Sequence, residues 1–368
     1  MSRGLYVHFP FCVRKCAYCD FYSLSGRSDL IEAYLEALLT EAGGYGRRRF
    51  TTLFIGGGTP SLLGSDGLRK VITGLSKIYS LSGLAEATIE ANPDSINRDF
   101  LHSALVSGID RISIGVQSLS DLELQKVGRI HTAAEALSKI ELAAAAGFKN
   151  ISADIILGLP GQDWQSLMIT LETLIGMDLK HISMYCLALE PHTPLALAPP
   201  PDLPSDDEQS SLYARAVDLL QRRGFSHYEI SNFALPGYAC LHNLNYWRGG
   251  EYIGLGPSAA SHYRGQRYKN RADLEVYLNS PAGVREETEK LAKAAKAAEE
   301  AMLRLRLLEE GLDLNCLVEK YGDRNVVALA ARLNKLSVKG YLRRNGPVYR
   351  LKPSLALVSN SILAELLD

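Results

Sequence analysis

The chain has 368 residues, 46% of them hydrophobic and 22% charged, which excludes a collagen-like, low-complexity or disordered protein. Forty basic side chains stand against 41 acidic ones, a net charge of −1, so no global positive field exists to gather nucleic acid. No run of about 18 apolar residues occurs, which excludes a hydrophobic membrane-spanning helix. Six cysteines, three of them in one short run, fit a reducing compartment better than a disulfide framework.

The chain enters its first strand candidate at residue 5, leaving no room for a targeting segment, and a cytoplasmic protein is expected. Strand candidates fall at residues 5–9, 52–56, 87–91, 111–116, 151–157 and 181–187. Helical stretches follow them near 30–41, 67–79, 97–106, 133–146, 164–176 and 206–223. Such alternation predicts a parallel sheet with right-handed crossovers. Six units are fewer than the eight of a closed barrel, so the expected fold is α/β, a partial (β/α)6 barrel over residues 1–225. The proline-rich tract 196–204 interrupts the pattern before the sixth helix. Residues 224–270, rich in Gly, Tyr and Asn, read as strands and loops within a connecting region, 226–285. Residues 286–310 read as one long helix. With helices at 315–320 and 326–338 and a strand pair at 341–344 and 348–351, they predict a smaller, mainly helical, winged-helix-like domain over 286–368. Winged helices often read DNA, and Lys335, Lys339, Arg343, Arg344 and Arg350 are basic. The neutral overall charge favours a packing or lid role instead, with no nucleic-acid partner.

Cys12, Cys16 and Cys19 stand as Cys-x3-Cys-x2-Cys in the run GLYVHFPFCVRKCAYCDF. Thiolates this close on one loop suit a soft metal centre, usually an iron–sulfur cluster. Three thiolates on a [4Fe–4S] cubane leave one iron free to chelate the amino and carboxylate groups of S-adenosylmethionine. A reduced cluster can then pass an electron into the sulfonium and release a 5′-deoxyadenosyl radical. The alternative is a zinc knuckle, but zinc sites usually pair their ligands at short spacing, whereas Cys186, Cys240 and Cys316 stand alone downstream. The loop, with an aromatic residue before its third cysteine, resembles the radical SAM superfamily signature.

Loops at the carboxyl ends of barrel strands build active sites. The glycines of Gly56-Gly57-Gly58-Thr59-Pro60 follow the second strand candidate and allow a ligand close to the backbone. Glu90 ends the third, Gln117 the fourth, and Asp154 lies in the fifth, ahead of Gly158-Leu159-Pro160-Gly161. Any one of these alone reads as a capped turn or a satisfied buried polar group; together they mark one rim.

The segments YVHFPFCVRKCAYCDF, FIGGGTPS, EANPDS, ISIGVQS, DIILGLPGQ and HNLNYW resemble the oxygen-independent coproporphyrinogen III oxidase family, and within it the haem-chaperone branch. The resemblance runs from Tyr6 to about Ala260 and weakens beyond. It implies S-adenosylmethionine contacts at Tyr6, Gly57, Gly58, Thr59, Glu90, Gln117, Arg129 and Asp154. Tyr18 would lie on the adenine side, and Ala188 and Ala260 would add backbone contacts. The oxidases of the family carry a further cysteine where this chain has Phe21, and a longer amino-terminal arm. The resemblance therefore implies a [4Fe–4S] cluster, S-adenosylmethionine and haem as cargo, delivered to haem-accepting respiratory proteins. The alternative is oxidative decarboxylation of coproporphyrinogen III. Peripheral membrane contact and a homodimer are both compatible with the chain.

His242, within HNLNYW, is a candidate axial ligand of haem iron, with Tyr246 and Trp247 placed to pack on a macrocycle and Cys240 a second candidate ligand. The alternative is that His242 and Asn243 pin a loop over the S-adenosylmethionine site. His8 is expected to order the cluster loop.

Overall fold

The computed structural model describes residues 3–281 and 284–367. Six parallel strands form its centre: β1 (Arg3–Phe9), β2 (Thr52–Gly57), β3 (Glu86–Ala91), β4 (Arg111–Gln117), β5 (Asn150–Leu157) and β6 (His181–Cys186). Gly4 lies beside Thr52, Thr52 beside Glu86, Thr88 beside Arg111, Ser113 beside Ser152, and Ser152 beside His181. The crossover helices are α1 (Ile31–Gly44), α2 (Gly64–Ile78), α3 (Arg98–Val106), α4 (Ala133–Ala146), α5 (Trp164–Gly176) and α6 (Asp206–Arg222). Their starts are written locally, since Thr132, Asp163 and Ser205 each close a reciprocal capping box before α4, α5 and α6.

Side-chain alternation along the strands separates two environments. Leu5, Val7, Leu53, Ile55, Ile89, Ile112 and Ile114 face outward and are buried under the helices. Their neighbours Tyr6, Phe54, Thr88, Glu90, Ser113 and Asp154 face the barrel interior, which is therefore polar. The interior is also open. Tyr6, Phe54, Glu90, Gln117 and Asp154 are only half-buried, while most residues flanking them in the strands are buried.

Residues 226–285 join the barrel sheet rather than standing apart from it. β7 (Ser226–Glu229) and β8 (Asn232–Ala234) continue the sheet beyond β6. β9 (Glu251–Leu255) runs parallel to β1 on the other edge and is extended by β10 (Ala260–Tyr263), β11 (Gln266–Asn270) and β12 (Arg285–Glu289). The result is one twelve-stranded sheet in the order β12-β11-β10-β9-β1-β2-β3-β4-β5-β6-β8-β7. β12 corrects the expectation of a helix over 286–310: the helix, α8, occupies only Lys293–Arg304. Pairing to β11 overrides the helical propensity of the charged residues before it. A second correction concerns HNLNYW, which forms helix α7 (Leu241–Trp247) rather than a loop.

The carboxyl-terminal part contains α8, α9 (Leu314–Tyr321), α10 (Asp323–Val338) and a small sheet of β13 (Leu312–Asp313), β14 (Leu342–Asn345) and β15 (Val348–Leu351). It packs at the amino-terminal ends of the barrel strands: Leu308 N–H donates to the Tyr228 carbonyl at 3.0 Å, and Arg248 pairs with Glu310. That placement makes it a packing domain on the barrel floor, away from the mouth. Several of its cations are engaged internally: Lys339 with Glu365, Arg344 with Asn334, and Arg350 with the Glu309 carbonyl.

Candidate functional site

The connection after β1 crosses the mouth of the barrel and carries Cys12, Cys16 and Cys19 as free, half-buried thiols. The loop is fastened at both ends and in the middle. Phe11–Cys12 pairs with Leu24–Ser25, Ala17 N–H donates to the Val127 carbonyl at 3.0 Å, and the Ala17 carbonyl accepts from Leu195 at 2.9 Å. His8 acts from below, with Nε2 2.8 Å from the Tyr22 carbonyl and Nδ1 3.0 Å from the Tyr6 hydroxyl. Burial lowers its pKa to about 4, so the ring is neutral, donating through Nε2 and accepting at Nδ1. His8 thereby ties β1 to the cysteine-bearing loop at Tyr22.

Two donors are aimed at the sulfurs. Thr59 Oγ1 lies 3.5 Å from Cys12 Sγ, and an Arg129 guanidinium nitrogen lies 3.6 Å from Cys16 Sγ. Hydrogen bonds of this kind stabilise thiolate and the negative charge of a cluster. Three thiolates on one loop can each take a separate iron of a four-iron cubane. The donor set therefore fits a cluster that supplies one electron and one open iron site.

Beneath the loop, the glycines do what close approach demands. A Cβ on Gly58 would meet the Phe11 carbonyl oxygen at 2.5 Å, and Gly57 has φ +111° with the His8 ring in the way of any side chain. Gly57 N–H donates to Glu90 Oε2 at 3.1 Å. Asn92 joins two parts of the rim, donating to Thr59 Oγ1 at 2.9 Å and accepting from Arg129 at 3.0 Å. Arg129 also donates to the Gly115 carbonyl at 2.7 Å. Gln117 holds φ +67°, a strained backbone for a residue with a side chain, at the end of β4. Asp154 accepts from Ser113 Oγ at 2.9 Å.

The electrostatics of this lumen favour a cation. Burial, reinforced by Asp154, pushes Glu90 up to about 8. Burial also raises Asp154, against the opposing pull of the Ser183 hydroxyl and Arg111. Two carboxylates held above their ordinary range would be relieved by a ligand with an ammonium and a sulfonium, which S-adenosylmethionine has.

Tyr6, Gly57, Gly58, Thr59, Glu90, Gln117, Arg129 and Asp154 thus surround one lumen. Tyr18 joins them from the loop, packed with Leu187 against Val127, Ile156 and Leu159. Ala188 is exposed at the mouth just beyond β6. Ala260 opens β10 with its carbonyl against Gly254, the sheet partner of Tyr6. Sequence reasoning assigned no role to Asn92 or Ser113; the EANPDS motif pointed at the first, and nothing local pointed at the second.

His242 and Cys240 are elsewhere. Both are buried at the barrel floor, where α7 plugs the amino-terminal ends of the strands. The Glu86 carboxylate caps α7, accepting from Leu241 N–H at 2.8 Å and His242 N–H at 3.0 Å, and the Cys240 thiol lies 3.4 Å away. His242 Nδ1 is 2.8 Å from Thr52 Oγ1 and Nε2 is 2.7 Å from the Tyr246 hydroxyl. Burial and nearby Arg111 lower its pKa to about 3, while burial pushes the Cys240 thiol up to about 12. Both ring nitrogens of His242 are thus bonded within the protein, its side chain is buried, and it lies at the opposite end of the barrel from the rim residues. The position of α7 on the floor corrects the expectation of a loop over the rim.

Residues 6–174 match the radical SAM superfamily. The haem chaperone HemW of Lactococcus lactis is 36% identical over 326 residues, covering 88% of this chain and 85% of its own. HemW of Escherichia coli is 40% identical over 261 residues, 70% of this chain and 69% of its own. This chain belongs to the HemW family. HemW of Bacillus subtilis matches 99% of both chains at 31% identity, so the kinship includes the floor-packing domain. Among solved structures, the coproporphyrinogen III oxidase HemN of Escherichia coli superposes with a TM-score of 0.87 over 99% of this chain and 90% of its own. At 21% identity, that likeness speaks to the fold, and it matches the barrel and carboxyl-terminal domain together.

Proposed function

We propose that this protein is a cytoplasmic haem chaperone that holds a [4Fe–4S] cluster and S-adenosylmethionine at the barrel mouth, binds haem, and passes it to haem-requiring proteins such as respiratory enzymes. The observation that carries the reading is the identity to HemW relatives over nearly the whole chain. Within that frame, Cys12, Cys16 and Cys19 ligate the cluster and Arg129 neutralises its charge and meets the ligand carboxylate. Glu90 and Asp154 face the ribose and the cationic groups, while Gly57, Gly58 and Thr59 present backbone to the amino-acid end. Tyr6, Tyr18, Gln117, Ala188 and Ala260 complete the walls. Phe21 supports the chaperone over the oxidase: it stands exposed at the mouth, a hydrophobic side chain at the position where the oxidases place a thiol.

The test is a pair of measurements on anaerobically reconstituted protein. Haemin titration is expected to show saturable binding with a Soret shift. Incubation with coproporphyrinogen III, S-adenosylmethionine and reductant is expected to yield no protoporphyrinogen. Turnover of the porphyrinogen, or failure to bind haemin, would overturn the reading.

A further inference from the structure

Haem cargo needs an apolar face for its macrocycle, an accessible ligand for its iron and cations for its two propionates. In this structure α7 withholds His242 and Cys240, so on the chaperone reading the molecule offers these elsewhere. Five of the eight histidines are buried: His8, His181 and His242 have both ring nitrogens bonded, while His131 and His227 are bonded through Nε2 and keep an Nδ1 that has no partner among the described residues and is shut off from solvent. His262 is half-buried and bonded to the Gly250 carbonyl. His102 is exposed on α3, on the outside of the barrel. Among the described residues, only His192 is an exposed histidine at the mouth, its side chain 67% accessible.

His192 lies on the connection after β6 with Nε2 on the Asp20 carboxylate, and Asp20 directly follows the cluster ligand Cys19. Its other ring nitrogen has no hydrogen bond among the described residues. A metal-ligating histidine whose second nitrogen rests on a carboxylate is oriented and made more basic by it. The surroundings suit a macrocycle. Phe21, Leu189 and Leu197 are exposed on the two segments that the His192–Asp20 contact joins. The short helix Pro194–Leu197 that carries Leu197 is tied to the cluster loop through the Leu195–Ala17 hydrogen bond. Lys15 and Arg14, exposed on the same loop, have no ion-pair partner among the described residues, and the charge of Lys15 reaches Cys19.

We infer that haem docks at the barrel mouth on the apolar surface of Phe21, Leu189 and Leu197, with His192 as its axial ligand, Asp20 as the residue that positions the imidazole, and Lys15 and Arg14 as propionate partners. The cargo then sits beside the cluster loop, on the face of the barrel where S-adenosylmethionine enters. Both the ligand and its positioning carboxylate belong to loops that a recipient protein can approach, whereas a floor site would require unplugging the barrel.

Haemin titration of the full-length reconstituted protein tests this, followed by optical, EPR and resonance Raman spectra. His192→Ala is expected to lose the imidazole-ligated signature and on the order of 10–100-fold in affinity, and free imidazole is expected to restore the spectrum. Asp20→Asn should keep the ligand but lower the Fe–His stretching frequency of the ferrous form, which a merely structural role would not do. His102→Ala should match wild type. An unchanged Soret band and affinity in His192→Ala, with cluster content and circular dichroism intact, would refute the site while leaving the chaperone reading standing. Failure of wild type to bind haemin would refute both.

Discussion

Glu90 offers the sharpest link between the electrostatics of the lumen and ligand binding. Its ionisation midpoint, pushed up to about 8 by burial and Asp154, means that roughly one molecule in ten carries the carboxylate at pH 7. A cationic ligand binds the ionised form, so association at pH 7 releases close to one proton and costs about 1.4 kcal/mol, a cost that falls nearly to zero by pH 9. The affinity for S-adenosylmethionine is expected to rise roughly tenfold between those pH values. Glu90→Gln serves as the reference that carries only the titration of the ligand itself. Isothermal titration in buffers of different ionisation heat measures the proton directly. The same shift affects folding with a definite sign. The unfolded chain ionises Glu90 near its ordinary 4.5 and the folded chain only near 8, so unfolding is increasingly favoured as pH rises between them. Glu90→Gln without ligand should therefore gain thermal stability relative to wild type at pH 8 and not at pH 5. Identical pH slopes and no proton release in wild type and variant would refute the argument.

Cys12→Ser, Cys16→Ser and Cys19→Ser are each expected to abolish the brown [4Fe–4S] absorbance, because a hydroxyl is a poor substitute for thiolate, whereas Ser at Cys186, Cys240 or Cys316 should leave iron and sulfide content unchanged. Gly58→Ala should cost about 1–3 kcal/mol, the usual range for overpacking, since its Cβ would meet the Phe11 carbonyl at 2.5 Å; chemical denaturation giving wild-type stability would show that the loop yields freely. Asp154→Ala should weaken S-adenosylmethionine binding several-fold with the cluster intact, and unchanged calorimetric affinity would remove Asp154 from the site.

Much of the fold was legible because its signals are local. Parallel strands buried on their outer faces leave β-branched and aliphatic runs, and capping boxes at Thr132, Asp163 and Ser205 mark where helices start. The cluster loop and the rim glycines were equally plain, since each owes its role to its own backbone or thiol. What could not be read depends on partners distant in sequence. Residues 286–289 have helical composition but meet β11, and a strand edge is invisible in the strand that will accept it. The His192–Asp20 contact joins residues 172 apart and exists only because two loops share the barrel mouth.

HNLNYW shows most clearly how a motif rich in ligand-type residues can be a structural device. His, Asn, Tyr and Trp are weak helix formers, so seven residues of this composition would not hold α7 alone. Its first turn is completed instead by Glu86, 155 residues earlier in the chain, and its His242 ring spans Thr52 of β2 and Tyr246 within the helix. The imidazole is chosen here for having two hydrogen-bonding nitrogens in a compact ring that also fits over Gly4, where a Cβ would come within 2.9 Å of it. His242→Ala is then a stability mutation, expected to cost about 2–4 kcal/mol from the cavity and the two hydroxyls left without a partner. Thermal unfolding should record that loss, while the haem spectrum of the folded fraction stays that of wild type. A Soret shift in His242→Ala with undiminished stability would mean that α7 opens to its cargo and that the floor, not the mouth, holds the haem.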